Sequence, residues 1–292
     1  MEGYDTIVLS GGGVKGFCTL GALQFMQDNQ LINENLNKFV GTSVGSMICF
    51  FLCIGYTPIE LVVSLCSKEI FENLKINSIE KILKDGVYDY NIINEHCKEL
   101  TLEKLNFIPT LKDLKEKFNK ELIISTYNYT DQKQEYVHYT NYPDLSCLDA
   151  IRMSSNLPFI FNDFEYKNKK YIDGGFGDNF PLQCCEESED IIAISLRDRD
   201  QTEEKDSDNY KGIIDKFYKL VLIPLNEMYK IKVEPYKDKK NIHILELEVE
   251  DVKIYKFNLS HSEKLELFSF GYNQAKKFFK EIKSKIQAPE KS

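Results

Sequence analysis

Apolar positions along the chain recur with two periods, one fitting strands and one fitting helices. The run Thr6 to Leu9 is short, β-branched and followed by glycines, which predicts a buried strand. Phe17, Leu20, Leu23, Phe25 and Met26 then return at roughly helical spacing and predict a helix. Lys38-Phe39-Val40 predicts a second strand, and Val44 to Ile54 a mostly apolar helix. Thr57-Pro58-Ile59-Glu60 has the form of a capping box with proline at the first helical position, so a further helix starts near Pro58. Residues 68–120 read as helices and loops, with a helix start at Thr110. Leu122 to Tyr129 and Gln134 to Thr140 are strand-like around a turn at Thr130-Asp131. Ser146 to Ser154 reads as a helix stopped before Pro158. Asp163 to Ile172 reads as a hairpin around Lys167-Asn168-Lys169-Lys170, and Asp190 to Leu196 and Ile242 to Val249 as strands. Strands alternating with helices predict an α/β fold whose mostly parallel sheet is covered on both faces. No internal repeat or long linker interrupts the pattern. One domain over 1–292 is expected, with a motif core at about 6–196 and a C-terminal strand and helices at about 210–286.

Composition narrows the function without choosing it. The 292 residues carry 37 Lys+Arg and 46 Asp+Glu, a net charge of −9, which argues against a chain that tracks nucleic acid with its whole surface. The N-terminus has neither a basic n-region nor a long apolar h-region, and the longest apolar stretch, Met47 to Ile54, is far short of the ~20 residues that span a bilayer. A soluble, intracellular protein is expected. Cys18, Cys49, Cys53, Cys66, Cys97, Cys147, Cys184 and Cys185 form no CxxC pair. They read as reduced, mostly buried thiols, with no metal site. Arg197 to Asn209 is dense in charge and reads as a solvated loop.

Three motifs carry chemistry. Gly11-Gly12-Gly13-Val14-Lys15-Gly16 follows a strand and opens a helix, an arrangement that aims backbone N–H groups and a helix N-terminus at an anion. That anion could be a phosphate or an acyl-transfer oxyanion. The spacing also fits G-x-G-x-x-G, but the second strand ends Phe39-Val40-Gly41-Thr42-Ser43 without the carboxylate that a dinucleotide ribose needs, and Lys15 precedes Gly16, which spoils a Walker A loop. The second motif, Gly41-Thr42-Ser43-Val44-Gly45, is G-x-S-x-G between strand and helix, the pattern that presents a serine hydroxyl at a sharp turn; the alternative is an ordinary turn whose serine caps the helix. A serine nucleophile needs a base. The third motif, Tyr171-Ile172-Asp173-Gly174-Gly175, ends a strand at Asp173 with glycines leaving room around its carboxylate, although Asp-Gly-Gly is by itself a common turn.

Taken in order, GGGVKG, GTSVG, Ser154-Ser155-Asn156-Leu157-Pro158-Phe159, then DGG with Asn179 and Pro181, strongly resemble the patatin-like phospholipases. Phe257-Asn258-Leu259-Ser260 and a helix carrying Gly271-Tyr272 extend the resemblance from about Thr6 to Phe279. The resemblance implies a three-layer α/β/α sandwich and a serine–aspartate dyad without histidine. Ser43 would be the nucleophile and Asp173 its base, with the amides around Gly11, Gly12 and Gly13 forming the oxyanion hole. Val14, Lys15, Gly16, Gly41, Gly45, Gly174 and Gly175 would support these motifs, and Asn179 and Pro181 would fix the loop after Asp173. Lys15 stands where many members carry arginine, which keeps the charge. No cofactor and no Ca²⁺ requirement are implied, and the substrate would be a phospholipid, a lysophospholipid or another lipid ester. An activating protein partner stays open.

Two other readings remain. A Ser–Asp–His triad would draw its histidine from His243 or His261, neither with an informative neighbourhood. A catalytically silent lipid-binding module would keep the fold without turnover. For membrane contact, the apolar positions from Ile213 to Met228, with a break or kink expected at Pro224, are one candidate. The stripe Ala275, Phe278, Phe279, Ile282 and Ile286, flanked by lysines, has the layout of an interfacial helix or of a terminal helix packed on the domain.

Overall fold

The computed structural model describes residues 3–67, 86–198, 210–249, 252 and 256–287. In chain order they form β1 (Thr6–Leu9), α1 (Gly16–Asp28), β2 (Lys38–Thr42), α2 (Val44–Cys53), α3 (Pro58–Ser67), α4 (Asn91–Leu105), α5 (Leu111–Phe118), β3 (Glu121–Asn128) and β4 (Lys133–Val137). Then follow α6 (Cys147–Ser154), β5 (Phe164–Tyr166), β6 (Lys169–Asp173), β7 (Ile191–Asp198), α7 (Tyr210–Val233), β8 (Ile242–Val249) and α8 (His261–Gln287). The mixed α/β architecture and its mostly parallel sheet agree with the sequence.

Local chemistry accounts for the element ends. Thr57 and Glu60 exchange capping bonds, Thr57 N–H donating to Glu60 Oε2 at 2.7 Å, and Thr110 caps α5 with Asp113 in the same way. Lys167 and Asn168 both sit at positive φ, 50° and 61°, the backbone that a tight two-residue hairpin turn requires. Arg197 and Asp198, expected in a loop, instead complete β7; residues 199–209 lie outside the described residues. Of the break or kink expected at Pro224, the break is absent: α7 runs across it as one helix.

Parallel pairings join β3, β2, β1, β7 and β8 in that order. The register on β3 decides where the site forms. Its Ile124 and Ser125 pair with Gly41 and Thr42 of β2 on one side and with Val137 and Tyr136 of β4 on the other. Beyond Ser125, Thr126 to Asn128 keep β4 but exchange β2 for β6, which arrives antiparallel with Asp173 opposite Thr126. β2 and β6 therefore share one edge of β3 and meet there by their C-terminal ends. The residue after Thr42 is Ser43, and the residue that meets it across the junction is Asp173.

Alternate side chains of the strands enter two cores. Ile7, Leu9, Phe39, Leu122, Ile124, Ile192 and Ile194 join the larger one under the helices, whereas Val8, Val40, Ile123, Ile191 and Ala193 join a smaller one with Phe180, Leu182 and Val233. The C-terminal stripe belongs to the larger core. Ala275 and Phe279 are buried, and Phe279 stacks on Phe25 of α1 at 5.9 Å. Gly21 and Gly271 let the two backbones touch: a Cβ on either would stand 1.9 Å from a carbonyl oxygen of the other helix. The described part of this stripe, up to Ile282, is thus packing surface; the Ile286 side chain lies outside the described residues.

Candidate active site

Ser43 occupies the turn between β2 and α2 at φ 53°, ψ −126°, a backbone that a non-glycine residue adopts only when its surroundings enforce it. The enforcement is visible. A Cβ on Gly41 would lie 2.6 Å from the Ser46 backbone, and one on Gly45 would lie 2.5 Å from Leu9 O. Ser43 N–H donates to Ser154 Oγ at 2.7 Å, and that hydroxyl donates to Ser125 O at 2.6 Å. The Ser43 carbonyl accepts from Ser46 Oγ at 2.6 Å. Its own hydroxyl makes no capping bond to α2, so the serine is held by its backbone and its side chain is left over.

Asp173 is 3 % exposed. Its N–H donates to Asn156 O at 2.9 Å, and its Oδ1 accepts from Gly175 N–H at 2.8 Å. Gly174 lies against Ser125 O with no room for a Cβ. Oδ2 is buried without a hydrogen-bond partner. Burial raises the carboxyl to about 6, opposed in part by the adjacent Ser43 hydroxyl and the Gly175 amide. The two side chains adjoin, and the acid oxygen not engaged by Gly175 is the one left for the serine.

The glycine loop is anchored from the same side. Gly11 N–H donates to Asn179 Oδ1 at 3.1 Å, and Asn179 Nδ2 returns a bond to Gly11 O at 3.4 Å. The Gly11 amide is thus bonded to Asn179. Gly12 and Gly13 follow at φ 169° and 55°, and Gly13–Lys15 form a 3₁₀ turn leading into α1. Lys15 is buried close to Cys18.

Two cavities meet at Ser43. One, of about 100 Å³, is lined by Gly11, Gly12, Gly13, Lys15, Asp173 and Asn179, and α7 closes it with Tyr218, Val221, Leu222, Leu225 and Tyr229. The other, of about 110 Å³, runs beneath Val14, Gly16, Val44, Met47, Phe51, Leu61, Leu100 and Phe161, and almost all its surface is apolar. Ligand pockets usually measure about 300–1,000 Å³, so both are narrow in this conformation. A larger groove, about 1010 Å³, follows β8 and contains His243 rather than Ser43.

No histidine lines the cavity that holds Asp173. His243 lies on β8, where its Nδ1 meets Tyr4 Oη at 3.0 Å, and burial lowers its pKa. His261 begins α8 and contacts Cys66 O. His96 lines the apolar cavity and meets Ser64 Oγ at 3.3 Å. Among the described residues no cluster of three or more His, Cys, Asp or Glu is arranged to hold a metal ion.

Several residues that hold this geometry were not singled out from the sequence. Ser125 supports Ser154 through its carbonyl and bonds Asp178 O through its hydroxyl at 2.7 Å. Buried Arg152 holds Asn156 Oδ1 at 2.7 Å while its guanidinium lies 4.0 Å from the Tyr90 ring centre. The run Ser154-Ser155-Asn156 was the available signal. It supplies the acceptor for Ser43 N–H and the acceptor for Asp173 N–H from two residues of one segment, Ser154 and Asn156.

The patatin-like phospholipase family profile matches residues 7–183, which include all three motifs. A probable lipid hydrolase of Invertebrate iridescent virus 6 is 35 % identical over 189 residues, a match spanning 62 % of this chain and 63 % of that protein. An uncharacterized protein of Acanthamoeba polyphaga mimivirus is 27 % identical over 92 % of each chain. Among solved structures, VipD from Legionella pneumophila superposes with a TM-score of 0.57 at 16 % identity, covering 95 % of this chain and 67 % of that one, a likeness of fold. With its motifs inside a profile match over more than half its length, the chain belongs to the patatin-like phospholipase family.

Proposed function

We propose that the protein is a lipid acyl hydrolase that cleaves acyl esters of phospholipids or lysophospholipids through an acyl-enzyme on Ser43, with Asp173 as the only side-chain base. The observation that carries this reading is the unpartnered Asp173 Oδ2, buried beside a serine hydroxyl that caps nothing. Ser43 Oγ attacks the ester carbonyl while Asp173 Oδ2 takes its proton. A carboxyl raised to about 6 is still ionised at neutral pH and is a stronger base than an exposed aspartate. The oxyanion is received by the Gly12 and Gly13 amides at the N-terminal end of α1. Asp173 then returns the proton to the leaving alcohol. A water molecule, deprotonated by the same carboxylate, attacks the acyl-enzyme, and Asp173 passes that proton to Ser43 Oγ as the fatty acid is released.

The apolar cavity beside Ser43 supports a hydrocarbon acyl chain rather than a short polar acyl group. The positions of His243 and His261, away from both cavities, favour the dyad over a triad. Fatty-acid release from phosphatidylcholine, present for the wild type and lost in Ser43→Ala, tests the activity; no release from phospholipid, lysophospholipid or neutral-lipid esters would support the silent module instead. No step of the scheme draws on a cation, so EDTA is expected to leave turnover on micellar substrate unchanged.

A further inference from the structure

α7 is apolar on two opposite sides. Tyr218, Leu222, Leu225 and Tyr229 face the cavity above Ser43. At about 100° per residue, Leu220, Ile223 and Ile231 fall on the other side of the same helix. They are 69 %, 63 % and 73 % exposed, so the roof of the site carries an uncovered apolar stripe. Glu227, lying within that stripe, is neutralised by Lys230 at 2.7 Å. Phe159, 43 % exposed at φ 64°, stands on the rim next to Pro158, whose carbonyl accepts from Tyr218 Oη of α7 at 3.0 Å.

We infer that this outer stripe of α7, with Phe159 on its rim, docks the protein onto the surface of a zwitterionic phospholipid layer. The inference rests on the lipid-ester reading above and adds where the lipid surface is met. Three observations choose that occupant over another. The stripe lies on the helix that closes the site, so a surface binding there sits directly over the entrance to Ser43. Glu227 within it is paired with Lys230, and the chain as a whole carries a net −9, so burial of the large apolar side chains, not long-range attraction to an anionic surface, is taken to carry the binding. Both cavities are narrow and α7 roofs one of them, so an outward shift of α7 would widen the way to Ser43; among the described residues its ties include Tyr218 to Pro158, Tyr229 Oη to Glu246 Oε1 at 2.7 Å, Lys232 to Asp178 at 2.8 Å, and Arg197 over the Tyr229 ring at 3.8 Å.

Flotation with phosphatidylcholine vesicles tests the inference, using full-length Ser43→Ala so that the vesicles stay intact. The same protein carrying Leu220→Ser, Ile223→Ser and Ile231→Ser is expected to float about tenfold less or worse, given the apolar area removed. In the Ser43 background, the triple variant should lose a similar factor on vesicle substrate and keep wild-type turnover of a soluble short-chain ester, which also shows that it is folded. If the parent protein does not float, or the triple variant floats equally well, the docking face is overturned. A failure of the acyl-hydrolase reading is distinguishable, because it removes turnover on both substrates and leaves flotation untouched.

Discussion

The two cavities that share Ser43 differ in what they ask of a substrate. The one under α7 gathers Asp173, the glycine amides and Asn179, whereas the one beneath Met47 and Leu61 offers almost nothing polar. A molecule that satisfies both has a polar, reacting carbonyl joined to a hydrocarbon tail, with Ser43 at the boundary. The contrast separates rate from selectivity. Changes on the polar side should slow every ester alike, and changes on the apolar side should re-rank esters by chain length.

Asp173→Asn gives the largest expected effect after loss of the serine itself. It removes the base and retains the shape, and turnover of both soluble and lipid esters should fall about 10³–10⁴-fold, measured as kcat/KM. Asn179→Ala comes next. Asn179 touches no reacting atom but holds Gly11 through two hydrogen bonds, and releasing the loop should cost about 10–100-fold in kcat with little change in KM. Rescue by a side chain that restores an acceptor for Gly11 N–H would mark it as a positioning residue. On the apolar side, Met47→Phe should lower kcat/KM for long acyl chains about tenfold while sparing short ones. An equal loss on all chain lengths would break the comparison.

The pH dependence belongs to the polar cavity. With Asp173 raised to about 6, kcat/KM should rise with pH through about 6 and level off, because only the ionised acid accepts the serine proton. Stability runs the other way. Below pH ~4 the folded and unfolded chains both hold this proton and there is no penalty; as pH rises from 4 through 6, the unfolded chain ionises first and the fold loses stability, a loss retained above 6. Asp173→Asn should therefore stabilise the protein at pH 8 by about 1–3 kcal/mol and by much less at pH 4, measured by chemical denaturation.

Much of this site is legible from residues near one another in the chain. Strand-ending glycines around Ser43 and Asp173 announce two sharp turns, and each turn is a local property. Their meeting is not local. It depends on β2 and β6 sharing one edge of β3, and on Asn179 reaching back 168 residues to Gly11. The bond from the Gly11 amide to that distant side chain has no signal in the glycine motif itself. The two apolar helices also part company for a physical reason: periodicity records that a face is apolar without saying what covers it. The stripe on α8 meets α1 and disappears into the core, whereas α7 has apolar residues on both sides and keeps one of them outside.

The most direct test of the central claim is labelling by a lipid-like fluorophosphonate in wild type, Ser43→Ala, Asp173→Asn, His96→Ala and His243→Ala. The account predicts labelling that requires Ser43 and Asp173 and persists in both histidine variants. Labelling that survives Asp173→Asn, or vanishes in a folded histidine variant, would contradict it.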